Sequence, residues 1–181
     1  ADATPRVIVG SRGQLAMLRE VRAGIAFAPT WVLADASDGD ERAGWRSFAA
    51  LLDAAPATAP PARVEAGDLF TIMYSSGTTG LPKGICHTHF IRAMYALTLA
   101  SSYRIAPESV VLHTGAIVFN GAMVTMMPAF MTGATYVLHR AFDAAEFVAT
   151  VERERVTHTM MVPAQIIAVL SSPGFDAGRL A

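Results

Sequence analysis

The sequence predicts an α/β fold with a largely parallel sheet flanked by helices. Two observations carry that prediction. Short apolar or β-branched runs at residues 7–9, 31–33, 69–74, 110–112, 135–138 and 159–162 alternate with segments whose apolar residues recur at helical spacing. One of those runs also opens directly into Tyr74-Ser75-Ser76-Gly77-Thr78-Thr79-Gly80-Leu81-Pro82-Lys83-Gly84, a glycine, hydroxyl and lysine loop at the kind of strand end where open α/β sheets bind ligands.

In chain order, Val7-Ile8-Val9 closes on Gly10 as a strand, and Leu15, Leu18 and Val21 mark one face of a helix over residues 14–22. Trp31-Val32-Leu33 is the next strand, followed by a polar loop over residues 35–40; Trp45, Phe48, Leu51 and Leu52 then line one side of a second helix. Between residues 54 and 67 the composition turns to Ala and Pro, with Pro56, Pro60 and Pro61 removing backbone donors, which predicts a surface linker within a single domain; a domain boundary is the alternative, against which residues 1–53 are short for an independent core. Residues 69–74 make a buried strand leading into the loop, and a helix near His89 presents Phe90, Ile91, Met94 and Leu97. Strand 110–112, an apolar helix over 121–131 strained by Pro128, and strand 135–138 follow. Asp143 with Glu146 starts a helix through Phe147, Val148 and Val151, before strand 159–162 and a short helix over 164–170.

At 181 residues the chain is long enough for one domain with a substantial core. Apolar residues make up 52% and charged residues 16%, so either the core is large or some of the surface is normally covered. A net charge of −1 with scattered basic residues provides no electrostatic footprint for nucleic acid. The single cysteine, Cys86, has no internal disulfide partner, fits a reducing compartment and reads as a packing residue. Residues 109–139 lack Asp, Glu, Lys and Arg, but His113, Asn120, Pro128 and Gly133 interrupt them, so they divide into strand, helix and strand and do not form a membrane span. A cytoplasmic protein without a transmembrane segment is expected.

The loop has the chemistry of a phosphate cradle. Glycines bring backbone N–H groups close to anionic oxygens, the hydroxyls of Ser75, Ser76, Thr78 and Thr79 donate further hydrogen bonds, and Lys83 adds a full charge. Pro82 before Lys83 and Gly84 after it exclude a Walker A loop, and the glycine spacing excludes a Rossmann fingerprint. On spacing alone, a Gly/Ser/Thr-rich surface connection remains open beside the phosphate reading.

The eleven-residue run resembles the phosphate-binding signature of the adenylate-forming enzymes, the superfamily of acyl-CoA synthetases, peptide-synthetase adenylation domains and firefly-type luciferases. The similarity extends from about Asp68 onward and is nearest to the fatty-acyl and related acyl-CoA synthetases. Residues 84–89 resemble the family's passage from the loop into a His-containing helix start, and Val156-Thr157-His158 with Val162-Pro163 resembles its later strand and turn. The resemblance implies part of the N-terminal domain of such an enzyme, with the smaller C-terminal domain that supplies the adenylation lysine absent. It also implies activation of a carboxylic acid, fatty or otherwise hydrophobic, by ATP with Mg²⁺, then transfer to CoA. Loading of a carrier protein and a nucleotide-binding module without turnover are the alternatives, and the 181 residues alone are expected to be inactive.

By the same resemblance, Ser75, Ser76, Gly77, Thr78, Thr79, Gly80 and Lys83 bind the nucleotide, with Lys83, Thr78 and Thr79 closest to the chemistry. Phe119, Asn120 and Gly121 fall at the acid pocket. Phe119 takes a place where many relatives carry a histidine, as gate and pocket wall or as a further core aromatic. The metal ligands are unassigned; a loop threonine with an acidic partner outside the sequence is the expectation. His87 and His89 invite a catalytic or metal role, but with no carboxylate or cysteine set beside them they read as capping or packing residues. The methionines at 123, 126, 127 and 131 could line an adaptable acyl pocket or fill core gaps.

Overall fold

The structure is a computed structural model that describes residues 3–75, 80–173 and 175–180, without the side chains of 179 and 180. The chain forms two compact units, Ala1–Arg63 and Val64–Ala181, dividing within the Ala/Pro-rich stretch.

In the first unit, β1 (Val7–Gly10), β2 (Thr30–Leu33) and β3 (Arg46–Ser47) make a parallel sheet in that order, with Ile8 opposite Trp31 and Leu33 opposite Ser47. Helix α1 (Leu15–Gly24) follows β1, and α2 (Phe48–Asp53) follows β3. Leu18, Trp31, Leu33 and Trp45 form the core, the two indoles meeting edge to face at 5.4 Å beneath the Arg22 guanidinium. Trp45 therefore belongs to the sheet side and not to the second helix, while Phe48 and Leu52 are exposed. The αL turn at Gly44 is the break that sequence periodicity did not register.

The second unit opens with a two-stranded antiparallel pair, β4 (Leu69–Ser75) and β5 (Lys83–Thr88). This corrects two expectations. The glycine loop joins strand to strand, because Ile85, Cys86, His87 and Thr88 alternate along β5 before the helix starts at His89. The β4 strand is also not buried, since Leu69, Phe70 and Tyr74 are exposed. Helix α3 (His89–Tyr103) follows, its first turn capped by Thr88 Oγ1 accepting from the Ile91 amide at 3.2 Å. Its buried face is Arg92, Ala96 and Ala100, not the expected Phe90, Met94 and Leu97, which are exposed. Small side chains at a four-residue interval let α3 lie close against α4 (Asn120–Thr132).

The remaining elements are β6 (Val110–Thr114), α4, β7 (Thr135–His139), α5 (Ala144–Glu154), β8 (His158–Thr159) and α6 (Pro163–Leu170). The strands form a parallel sheet in the order β7-β6-β8. Neighbours Val111 and Leu112 are both fully buried and point to opposite faces: Val111 packs with Ile105 and Ala129 of the α4 side, Leu112 with Phe147, Val148 and Val169 of α5 and α6. Helices thus cover both faces, and the chain leaves β6 toward β7 but returns to β8 on its other side. That reversal opens a crevice beyond the carboxyl ends of β6 and β8. Asp143 caps α5 by accepting from the Glu146 amide at 2.8 Å, as its sequence pattern predicts. Strand β8 is shorter and earlier than residues 159–162, because Pro163 takes the first position of α6. No helix among the described residues is long and apolar enough to cross a membrane.

Candidate functional site

At the open end of the β4–β5 pair, Ser75 stands directly opposite Lys83, and Tyr74 opposite Gly84. Directly opposed residues share a face with Cβ atoms about 5 Å apart, so a hydroxyl and an ammonium point the same way at the mouth of the loop. Gly84 makes this possible, because a Cβ there would sit 3.2 Å from the Tyr74 ring. Gly80 adopts φ +87°, a left-handed conformation that favours glycine. Lys83 is exposed. The predicted residues Ser76, Gly77, Thr78 and Thr79 lie outside the described residues.

Behind the hairpin, Arg92 ties three elements together. Its Nη2 donates to Thr71 Oγ1 of β4 at 3.0 Å and meets His87 Nδ1 of β5 at 3.3 Å, while Nη1 donates to Asn120 Oδ1 of α4 at 3.0 Å. Arg92 is 2% exposed, and no ion pair to it occurs among the described residues. Burial, and then the Arg92 charge, hold His87 below its ordinary value of 6.5; His87 Nδ1 then accepts from the guanidinium as a neutral ring. Burial also lowers the Arg92 pKa. A cavity of about 210 Å³ beside this cluster is lined by Arg92, Tyr95, Asn120 and Met123.

The crevice at the carboxyl ends of β6 and β8 is a cavity of about 450 Å³, lined by His113, Thr114, Phe119, Gly121, Met160 and Gln165 among others. Gln165 of α6 reaches across to Thr114, its Nε2 at 3.4 Å from Oγ1. Phe119 is 70% exposed, immediately precedes α4 and lines this cavity. The predicted trio therefore divides: Phe119 and Gly121 face this cavity, whereas Asn120 turns to Arg92.

The other histidines have structural partners. His89 packs edge to face on Phe70 at 5.0 Å, and His158 Nε2 donates to the Tyr103 carbonyl at 2.8 Å. Among the described residues no cluster of three or more His, Cys, Asp or Glu could hold a metal ion. Cys86 is exposed and so is not the packing residue expected, since β5 carries no cover on that side among the described residues.

A family profile for AMP-binding enzymes matches residues 1–180. The chain belongs to the AMP-binding enzyme family. Indoleacetate–CoA ligase of Aromatoleum aromaticum is 32% identical over 139 residues, 76% of this chain and 27% of that protein. Feruloyl-CoA synthase of Amycolatopsis is 33% identical, over 71% of this chain and 26% of that protein. This member of the family thus spans about a quarter of the length of the curated relatives it matches. The N-terminal domain of FACL13 from Mycobacterium tuberculosis superposes with a TM-score of 0.73 at 26% identity, covering 94% of this chain and 41% of that one.

Sequence reasoning missed Arg92, His113, Met160 and Gln165 as site residues. For Arg92 there was a signal: it is the one Arg or Lys in a fifteen-residue apolar helix, four and eight positions ahead of Ala96 and Ala100. Met160 carries no such mark, because its place depends on where β8 ends.

Proposed function

We propose that this chain is part of an AMP-forming ligase that activates a hydrophobic carboxylic acid with ATP and passes the acyl group to CoA. The observation that carries the reading is the pairing of Ser75 with Lys83 at the mouth of the glycine loop in a chain of the AMP-binding family. Attack of a carboxylate on the α-phosphorus brings an anion to a polyanion, so the site must neutralise phosphate oxygens and hold the reactants in line. Lys83 supplies a charge-assisted contact to the departing pyrophosphate, while Ser75, Ser76, Thr78, Thr79 and the amides at Gly77 and Gly80 cradle the β- and γ-phosphates. Phe119, Gly121 and the apolar wall around Met160 receive the acid. Mg²⁺ would be held by phosphate oxygens together with a loop threonine and acidic groups elsewhere in the protein, and would neutralise phosphate charge there.

Both units form part of one larger N-terminal domain in this reading, and a further domain carries the adenylation lysine. Acid-dependent exchange of labelled pyrophosphate into ATP by the intact protein tests the proposal. Replacing Lys83 with Ala slows that exchange about a hundredfold or more. An unchanged rate in the variant, or no acid-dependent exchange in the wild type, refutes it. Release of acyl-CoA when CoA is added distinguishes a CoA ligase from an enzyme that loads a carrier protein.

A further inference from the structure

One face of the β4–β5 hairpin carries two cross-strand pairs. Thr71 of β4 stands directly opposite His87 of β5, and the register runs without a break from that pair to Ser75 opposite Lys83. Side chains alternate along a strand, so residues four apart lie on one face; the two pairs therefore share a face, about 13 Å apart along the strands.

Arg92 grips the inner pair. Its Nη2 lies 3.0 Å from Thr71 Oγ1 and 3.3 Å from His87 Nδ1, and its Nε lies 3.4 Å from the same threonine oxygen. Nη1 turns the other way and donates to Asn120 Oδ1 at 3.0 Å. Asn120 is the first residue of α4, and its neighbours Phe119 and Gly121 both line the crevice at the carboxyl ends of β6 and β8. One side chain thus reaches from the root of the hairpin to the rim of the crevice. An apolar side chain in this place could fill the space but could not fix the separation of the three elements, because hydrophobic packing is non-directional. A guanidinium is a rigid planar fork whose donors point in set directions, so its acceptors are held at set places relative to one another. At 2% exposure the group is shielded from either reactant and works through what it holds.

We infer that Arg92 is a positioning residue: by tying the Thr71–His87 pair to Asn120 it fixes where Ser75 and Lys83 stand relative to the crevice, and so keeps nucleotide and acid in line for adenylation. This rests on the proposed acid-activating function and adds no contact to either reactant. In-line attack tolerates little error; a misplacement of about 1 Å costs about a hundredfold in rate. Without the tie, the hairpin and the start of α4 each keep their own shape and bind their own reactant, and what is lost is the alignment between them. The signature is a fall in kcat with both binding constants preserved.

The test uses the intact protein, with straight-chain acids from hexanoate to dodecanoate as probes for pyrophosphate exchange into ATP. Calorimetric titration measures the affinity for ATP and for the best of those acids, each alone. Asn120→Ala is the leading variant, because Asn120 is exposed and its loss leaves the fold intact. Its kcat is expected to fall about tenfold or more while both dissociation constants stay within about threefold of wild type. In Arg92→Met kcat falls about a hundredfold with the same preserved affinities, and in the double variant no further, since both changes cut one link. Asp143→Ala, which removes the cap of α5, is the control for lost stability and keeps the wild-type kcat. A kcat within about twofold of wild type in both Asn120→Ala and Arg92→Met, affinities that fall in step with kcat, or an equal loss in Asp143→Ala overturns the positioning role and leaves the acid-activating function standing. Absence of exchange with every one of the acids in the wild type overturns both.

Discussion

Replacing Arg92 with Met tests whether a buried cation with no carboxylate partner among the described residues stabilises the second unit or burdens it. Methionine keeps most of the side-chain length and removes the four contacts to Thr71, His87 and Asn120. Asn120 is exposed and exchanges its lost donor for water, at little cost. Thr71 is half-buried and His87 is 6% exposed, so their acceptors are stranded, at about 1–3 kcal/mol each. Against this stands relief from burying a guanidinium, a penalty felt in its lowered pKa. The penalty is smaller than the loss, because three separate elements supply acceptors to the cation. About 2 kcal/mol of net destabilisation is expected, read as a fall of about 1 M in the urea midpoint with an unchanged slope. Combined with Thr71→Val the effects are non-additive, because both changes remove the same hydrogen bonds. An Arg92→Met protein as stable as the wild type, or more so, refutes the reasoning: the guanidinium would then cost as much as it secures.

Three further outcomes follow from the same geometry. His87 has a folded pKa below its ordinary 6.5, so the unfolded chain takes up the proton first. Its contribution to stability is complete above about pH 6.5 and is lost as pH falls through and below that value; urea midpoints across pH 5–8 show the decline, and His87→Gln flattens it. Asp143→Ala removes the cap on the Glu146 amide and costs about 1 kcal/mol, measured by thermal unfolding at pH 7. Arg155 ends α5 at φ 50°, a left-handed conformation, so Arg155→Gly raises stability by about 0.5–1 kcal/mol in the same assay; a loss would mean that the arginine side chain holds the helix end.

What was legible in the sequence was whatever depends on a few neighbouring residues. Asp143 followed three residues later by Glu146 announced the α5 start, and both appear as donor and acceptor. The alternation of strands with helices gave the parallel sheet β7-β6-β8, because each crossover carries its own periodicity. What failed depends on partners distant in the chain. Strand β5 was read as a passage into a helix because Lys83–Thr88 is too short to display its own period and becomes a strand only against β4.

The α3 helix shows the same limit in a form that matters for the site. By hydrophobicity alone, Phe90, Met94 and Leu97 should be buried, yet they face outward while Arg92, Ala96 and Ala100 face inward. Hydrophobicity ranks what gains from leaving water, but close helix packing selects first for what fits, and alanine fits where leucine does not. Once the alanines draw α3 onto α4, Arg92 on the same stripe is carried inside and must find acceptors: Thr71, His87 and Asn120. The guanidinium thereby links the strands on either side of the glycine loop to the helix that begins at the crevice. A residue that looks like a surface charge in the sequence becomes the connection between the two halves of the candidate site.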